Sequence, residues 1–126
     1  MIKAIGGVFL SSGEPETLAA WYAEVLGIQF EHSPEYDVWY GTFPFVEKDS
    51  GREAYQVFSV MRNENEKRGN TITVNLRVDG LESFIATLRE KGVEVTGPET
   101  HPQGIFAWVN DPAGHKLELW EDIQER

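Results

Sequence analysis

The 126-residue sequence contains no cysteine. That excludes a disulfide, a thiolate metal site, a cysteine nucleophile and an iron–sulfur cluster, and it leaves the redox compartment open. Positive charge is also scarce: 11 Lys and Arg stand against 21 Asp and Glu, a formal net charge of −10. A nucleic-acid surface needs cations to release phosphate counterions, and an anionic membrane surface needs them to bind at all. Neither partner is expected here; the acidic balance instead favours a cationic ligand. Apolar runs fall short of the ~18 residues of a membrane span, and Met1-Ile2-Lys3-Ala4 does not read as a signal peptide. The expected location is cytoplasmic. Familiar catalytic patterns are missing too. There is no Gly-x-Ser-x-Gly or His-Glu-x-x-His, and Gly6-Gly7 precedes a strand interior rather than a helix, so it is no phosphate loop.

What is present is one domain's length of ordinary globular sequence, enough for a single real core. Ala4 to Ser11 reads as a buried strand. Ser12-Gly13-Glu14-Pro15 carries helix-start chemistry, and Leu18, Trp21, Tyr22 and Val25 recur at i, i+3, i+4, i+7 on one helical face, with Gly27 as the stop. Trp21 and Tyr22 are expected in the core beneath this helix. Strands are predicted at Ile28–His32, Tyr36–Phe43 and Glu53–Met61, the last two joined by a turn at Glu47-Lys48-Asp49-Ser50-Gly51. Residues 63–70, within the polar run from Arg62 to Asn70, read as a linker.

The plan then repeats. Thr71–Val78 is a strand rich in β-branched residues. Asp79 with Glu82 predicts a capping box, and Leu81, Phe84, Ile85 and Leu88 predict a second amphipathic helix closed by Gly92. Short strands follow at Val93–Val95, Ile105–Asn110 and Lys116–Glu121, with a turn at Asp111-Pro112-Ala113-Gly114. Val8 and Val74, Leu10 and Leu76, Leu18 and Phe84, and Tyr22 and Leu88 are each 66 residues apart. The sequence is therefore read as a two-copy βαβββ repeat, module one at about 1–62 and module two at about 71–126.

Several segments carry a resemblance to a known family. Trp21-Tyr22-Ala23-Glu24-Val25-Leu26-Gly27 lies in the first helix. Val78-Asp79-Gly80-Leu81 opens the second helix and Lys91-Gly92-Val93 ends it. Asp111-Pro112-Ala113-Gly114-His115-Lys116-Leu117-Glu118-Leu119-Trp120 is similar to a closing strand of the form D-P-x-G-x-x-[IL]-E-[LF]. Together they resemble the vicinal oxygen chelate superfamily, which includes glyoxalase I, extradiol dioxygenases, and bleomycin- and fosfomycin-resistance proteins. The resemblance spans nearly the whole chain as a single glyoxalase-like domain. It implies an α+β fold: two tandem βαβββ modules curving into an eight-stranded, cup-like sheet with the helices outside. It also implies a ligand cleft, a divalent metal in many members, and frequent homodimers.

The chemistry of those members needs a metal that polarises substrate oxygens, held by His, Glu or Gln. Carried onto this sequence, the first-strand positions fall on Gly7, which has no side-chain donor, and on Thr73, a neutral hydroxyl. In the last strand of module one the position is Ser59 or Gln56. Glu118 alone keeps a ligand residue type. His32, His101 and His115 are expected in exposed loops. A divalent metal (Zn, Ni, Mn or Fe) is thus expected to be missing, with Glu118 as its ligand if one binds.

Glu118 alternates with Leu117 and Leu119, so it faces away from them. Inside a partly apolar cleft its pKa would rise, fitting it for proton transfer as a general base. Ligand pockets are mostly apolar and aromatic with a few placed polar groups. Trp39, Tyr55, Ser59, Thr73 and Trp108 are the candidate ligand contacts. The reading is a small-molecule-binding protein that keeps the cup without the usual metal, by analogy with bleomycin-resistance proteins and their cationic drug. The alternatives are a metal-dependent glyoxalase-type lyase, isomerase or dioxygenase, and a metal-free enzyme using Glu118.

Overall fold

In a computed structural model, which describes residues 1–63, 71–112 and 115–123, the element order is β1 (Ile2–Ser12), α1 (Pro15–Leu26), β2 (Glu31–Ser33), β3 (Val38–Val46), β4 (Glu53–Arg62), β5 (Thr71–Val78), α2 (Leu81–Glu90), β6 (Thr96–His101), β7 (Gly104–Asn110) and β8 (Lys116–Glu121). The βαβββ plan occurs twice, as expected. The fold is α+β, and hydrogen bonding orders the eight strands as β2-β3-β4-β1-β5-β8-β7-β6. Most of the linker reading, 64–70, and two residues of the predicted 111–114 turn lie outside the described residues. No helix among the described residues is long and apolar enough to cross a membrane.

Two compact units divide the chain inside β1: Gly7–Ile72 form one, and Met1–Gly6 with Thr73–Arg126 form the other. In the Gly7–Ile72 unit, β1 pairs in parallel with β4, and β4 in turn pairs antiparallel with β3. Helix α1 starts with Pro15 in the first turn, where a missing N–H costs nothing, and ends at Gly27, whose φ of 73° suits the left-handed cap. Tyr22 meets the Phe58 ring edge-on at 5.0 Å. Trp21 does not join it in the core: it is 50% exposed, because at i−1 it points about 100° around the helix from Tyr22.

In the other unit, Val78, Leu81, Ile85, Ala107 and Leu119 form the buried core between α2 and the sheet. Burying a leucine side chain such as Leu81 or Leu119 is worth about 1.5–3 kcal/mol. The expected capping box does not form, since α2 has no side-chain cap from its own turn. Its N-cap is Gly80, and the Leu81 N–H is satisfied from β8 by Glu121 Oε1 at 3.1 Å. Asp79 is instead engaged by the N-terminus: its N–H donates to the Met1 carbonyl, its own carbonyl accepts from the Met1 amine, and Lys3 pairs with its carboxylate at 3.2 Å.

The strand predicted at Val93–Val95 is displaced to Thr96–His101. Val95 packs against the α2 core, while its carbonyl, with that of Gly97, accepts from Arg89 Nη2. The apolar residues serve side-chain packing there, and the ladder begins only afterwards. Similarly, β2 and β3 start later than predicted. Asp37 takes up a left-handed turn (φ 51°), a conformation Asp tolerates, before β3 begins at Val38.

Candidate functional site

In the unit containing α2, alternation along the strands separates two faces. Leu117 and Leu119 of β8, with their ladder partners Val109 and Ala107 of β7, turn toward α2. The opposite face carries Glu118 and Trp120 from β8, Phe106 and Trp108 from β7, and Thr73, Asn75 and Arg77 from β5. The ladders fix these neighbours: Asn75 lies opposite Glu118 on one side, and Trp108 lies opposite it on the other.

Glu118 is therefore flanked by two neutral donors. Asn75 Nδ2 donates to Oε1 at 2.7 Å, and Trp108 Nε1 donates to Oε2 at 2.8 Å. Burial pushes the Glu118 carboxyl above the ordinary glutamate range; the bonds from Trp108 and Asn75, and the charges of Lys116 and His101, oppose that rise without cancelling it. The arrangement is a half-buried carboxylate with fixed orientation beside an indole. It can accept a proton, or hold a cation or a hydrogen-bond donor.

The same face holds a second polar group. Arg77, 1% exposed, pairs with Asp122 at 3.3 Å. Its guanidinium carbon lies 4.4 Å from the centroid of the Trp120 ring. Trp120 stacks parallel to Phe106 at 6.0 Å and donates its indole N–H to the Gln103 carbonyl. This group braces the sheet beside Glu118.

In the unit containing α1, the corresponding ladder runs through Ser59 and not through Gln56. Phe9 lies opposite Ser59 as Asn75 lies opposite Glu118, and Tyr40 takes the cross-strand place of Trp108. Gln56 falls on the other face, with Phe58, which α1 covers. Tyr55 and Ser59 share a face. Trp39 does not share it: it pairs with Val60 and stacks on His32 at 4.2 Å, on the face of Phe58. The ladder therefore places Trp39 on a different face of the sheet from Tyr55 and Ser59, since successive residues of a strand face opposite sides. The Ser59 hydroxyl is buried without a hydrogen-bond partner among the described residues.

Of the predicted site residues, the structure joins Glu118 to Trp108 directly and puts Thr73 on the same face. Two histidines depart from the loop reading: His32 lies in β2 and His101 ends β6 against Phe106. His115 sits beside a turn, bonded to Asp111 through Nδ1 at 2.8 Å. Among the described residues, no three His, Asp or Glu side chains come together as a metal-holding group. The positions tested for metal ligation supply one carboxylate, two hydroxyls and a glycine. A Cβ on Gly7 would collide with the Val57 carbonyl oxygen. This donor set does not fit a transition metal, which needs several imidazoles or carboxylates.

Sequence reasoning missed Asn75, Arg77 and Asp122. The available signal was polar: an amide and a guanidinium within an otherwise strand-like run must find partners if buried.

Comparison with known proteins agrees with this architecture. The family model described as a glyoxalase-like domain matches residues 7–120. No curated protein matches the chain. Among solved structures, methylmalonyl-CoA epimerase from Mycobacterium tuberculosis superposes with a TM-score of 0.68 at 17% identity, covering 96% of this chain and 89% of that one. A variant of Streptomyces coelicolor methylmalonyl-CoA epimerase in complex with 2-nitronate-propionyl-CoA gives 0.70 at 16% identity, covering 98% and 99%. A glyoxalase/bleomycin resistance protein/dioxygenase superfamily member from Vibrio splendidus 12B01 gives 0.64 at 13%, covering 97% and 100%. At these identities the likeness is one of fold.

Proposed function

Because the chain belongs to the glyoxalase-like domain family, we propose that it binds a small organic ligand on the face carrying Glu118, Trp108 and Asn75, without a resident transition metal. The observation that carries this reading is the Glu118 carboxylate, held by two neutral donors beside an indole. An ionised carboxylate so placed, in a chain of net charge −10, suits a cationic aromatic ligand. Thr73 extends the same face, and Tyr55 and Ser59 are proposed as further contacts. A cytoplasmic homodimer is part of the proposal.

The test is a thermal-shift screen of cationic aromatic compounds against neutral isosteres, with metal analysis of the purified protein. A stabilising cation whose effect disappears in Glu118→Gln supports the reading. A flat response across the cations, or stoichiometric Zn, Ni, Mn or Fe, rejects it. Sedimentation at the mass of a monomer would reject the dimer.

One observation favours a second reading. The raised pKa of Glu118 suits a general base that removes a proton next to a carbonyl. Two of the structural neighbours bear the name methylmalonyl-CoA epimerase, so the substrate to try is a CoA thioester. Deuterium uptake at its α-carbon in the presence of a chelator, lost in Glu118→Gln, would establish that chemistry in place of simple binding.

A further inference from the structure

We propose that the buried Ser59 hydroxyl, between Phe9 and Tyr40 in the unit containing α1, is a specificity-determining group that takes a neutral carbonyl oxygen carried on an aromatic ring. The inference rests on the small-ligand reading, in which Ser59 is one contact, and names the part of the ligand that this contact would hold.

A buried hydroxyl without a partner costs stability, because burial removes the hydrogen bonds that water would give it. Ser59 is 3% exposed, and its Oγ has no hydrogen-bond partner among the described residues. Alanine would fill the same place without that cost. The neighbours on the same face do not relieve it. Strand register puts Phe9 of β1 opposite Ser59 on one side and Tyr40 of β3 opposite it on the other. Along β4 itself, the next residues on that face are Val57 and Met61. Of these four side chains only Tyr40 carries a strong hydrogen-bonding group, and its hydroxyl donates to the Glu31 carboxylate across the β2–β3 ladder.

These surroundings narrow the ligand. An ionised group would need a counter-charge at Ser59, and the four flanking side chains have none. A neutral oxygen needs only a donor, which the hydroxyl supplies. The aromatic neighbours on both sides suit a flat ring behind that oxygen. Gly7 gives the Phe9 ring its place, since a Cβ at position 7 would lie 3.0 Å from Phe9 Cε1. Phe9 and Tyr40 are themselves only half-buried, so a turn of one ring, with the backbone unchanged, opens the hydroxyl to a ligand.

The test is an NMR titration of the full-length protein with acetophenone and with α-methylstyrene, which replaces the carbonyl oxygen by a methylene and keeps the shape. Wild type should bind acetophenone about five-fold more tightly, the scale of one neutral hydrogen bond, with shifts at the Ser59 amide and at the Phe9 and Tyr40 rings. In Ser59→Ala the two compounds should bind equally, while the urea midpoint of the variant rises because the unpartnered hydroxyl is gone. Equal affinities in wild type, or no saturable binding of either compound, would overturn the proposal without any substitution. So would a preference that survives Ser59→Ala. A lowered midpoint, or a variant that does not fold, would overturn it too, by showing that the hydroxyl holds a structural bond. Acetophenone carries no charge, so the result is separate from the cation reading of Glu118, which benzyltrimethylammonium probes. Stabilisation by that cation with no preference for acetophenone sinks this inference alone, and the converse sinks the cation reading alone.

Discussion

The Trp108 indole and the Glu118 carboxylate lie directly opposite each other across the β7–β8 ladder, joined by a 2.8 Å hydrogen bond. Trp108→Phe keeps the ring and deletes the donor. Hydrogen bonds to charged groups are worth about 1.5–3 kcal/mol, so a stability loss of that size is expected at pH 8 in urea unfolding. The loss should shrink in acid, where the carboxyl is neutral. An equal loss at both pH values would mean that the ring's packing, and not its N–H, supplies the stability.

Glu118 also sets a pH dependence. Its folded-state pKa is raised by burial, so the folded protein holds the proton to higher pH than the unfolded chain does. The associated stability is fully present below the ordinary glutamate value and is lost as pH rises through the raised one. Glu118→Gln removes this titration. The stability of wild type relative to Glu118→Gln should fall with rising pH across that window, as read from urea midpoints. A difference that grows instead would reverse the sign assigned to burial.

Asp122→Asn removes the carboxylate that pairs with the buried Arg77 guanidinium. Breaking a buried ion pair from one side costs about 3–5 kcal/mol, and a loss approaching that range is expected in chemical denaturation. Replacing Arg77 by Met and Asp122 by Leu together should cost less than Asp122→Asn alone. A loss under about 0.5 kcal/mol for the single variant, the scale of an ordinary surface substitution, would show that the pair is dispensable.

Gly7→His tests whether a metal ligand can be restored at the first-strand position. The new Cβ meets the Val57 carbonyl oxygen on β4, so the expected result is a destabilisation of about 1–3 kcal/mol and no gain of bound metal. Tight zinc binding by a stable variant, measured by calorimetry, would contradict this.

The repeat was legible before any coordinates. Apolar residues at helical spacing, two glycine stops and the 66-residue offset between Val8 and Val74 imply two βαβββ copies, since such periodicities bury one face of each element. Glu118 was legible as well, because its neighbours Leu117 and Leu119 are apolar and a strand alternates. Asn75 was not, since its value depends on which residue lies opposite it in a parallel ladder more than 40 positions away. The face of Trp39 was not legible either, because it depends on the β3–β4 register, which pairs Trp39 with Val60. The start of α2 depended on Glu121 from β8, where local spacing pointed to Glu82.

Local pattern thus dictated which segments are helix and strand and which side of each is apolar, because those preferences act between near neighbours in the chain. Folding alone chose the partners of Glu118, because a hydrogen bond between distant residues forms only when strand register brings donor and acceptor within about 3 Å.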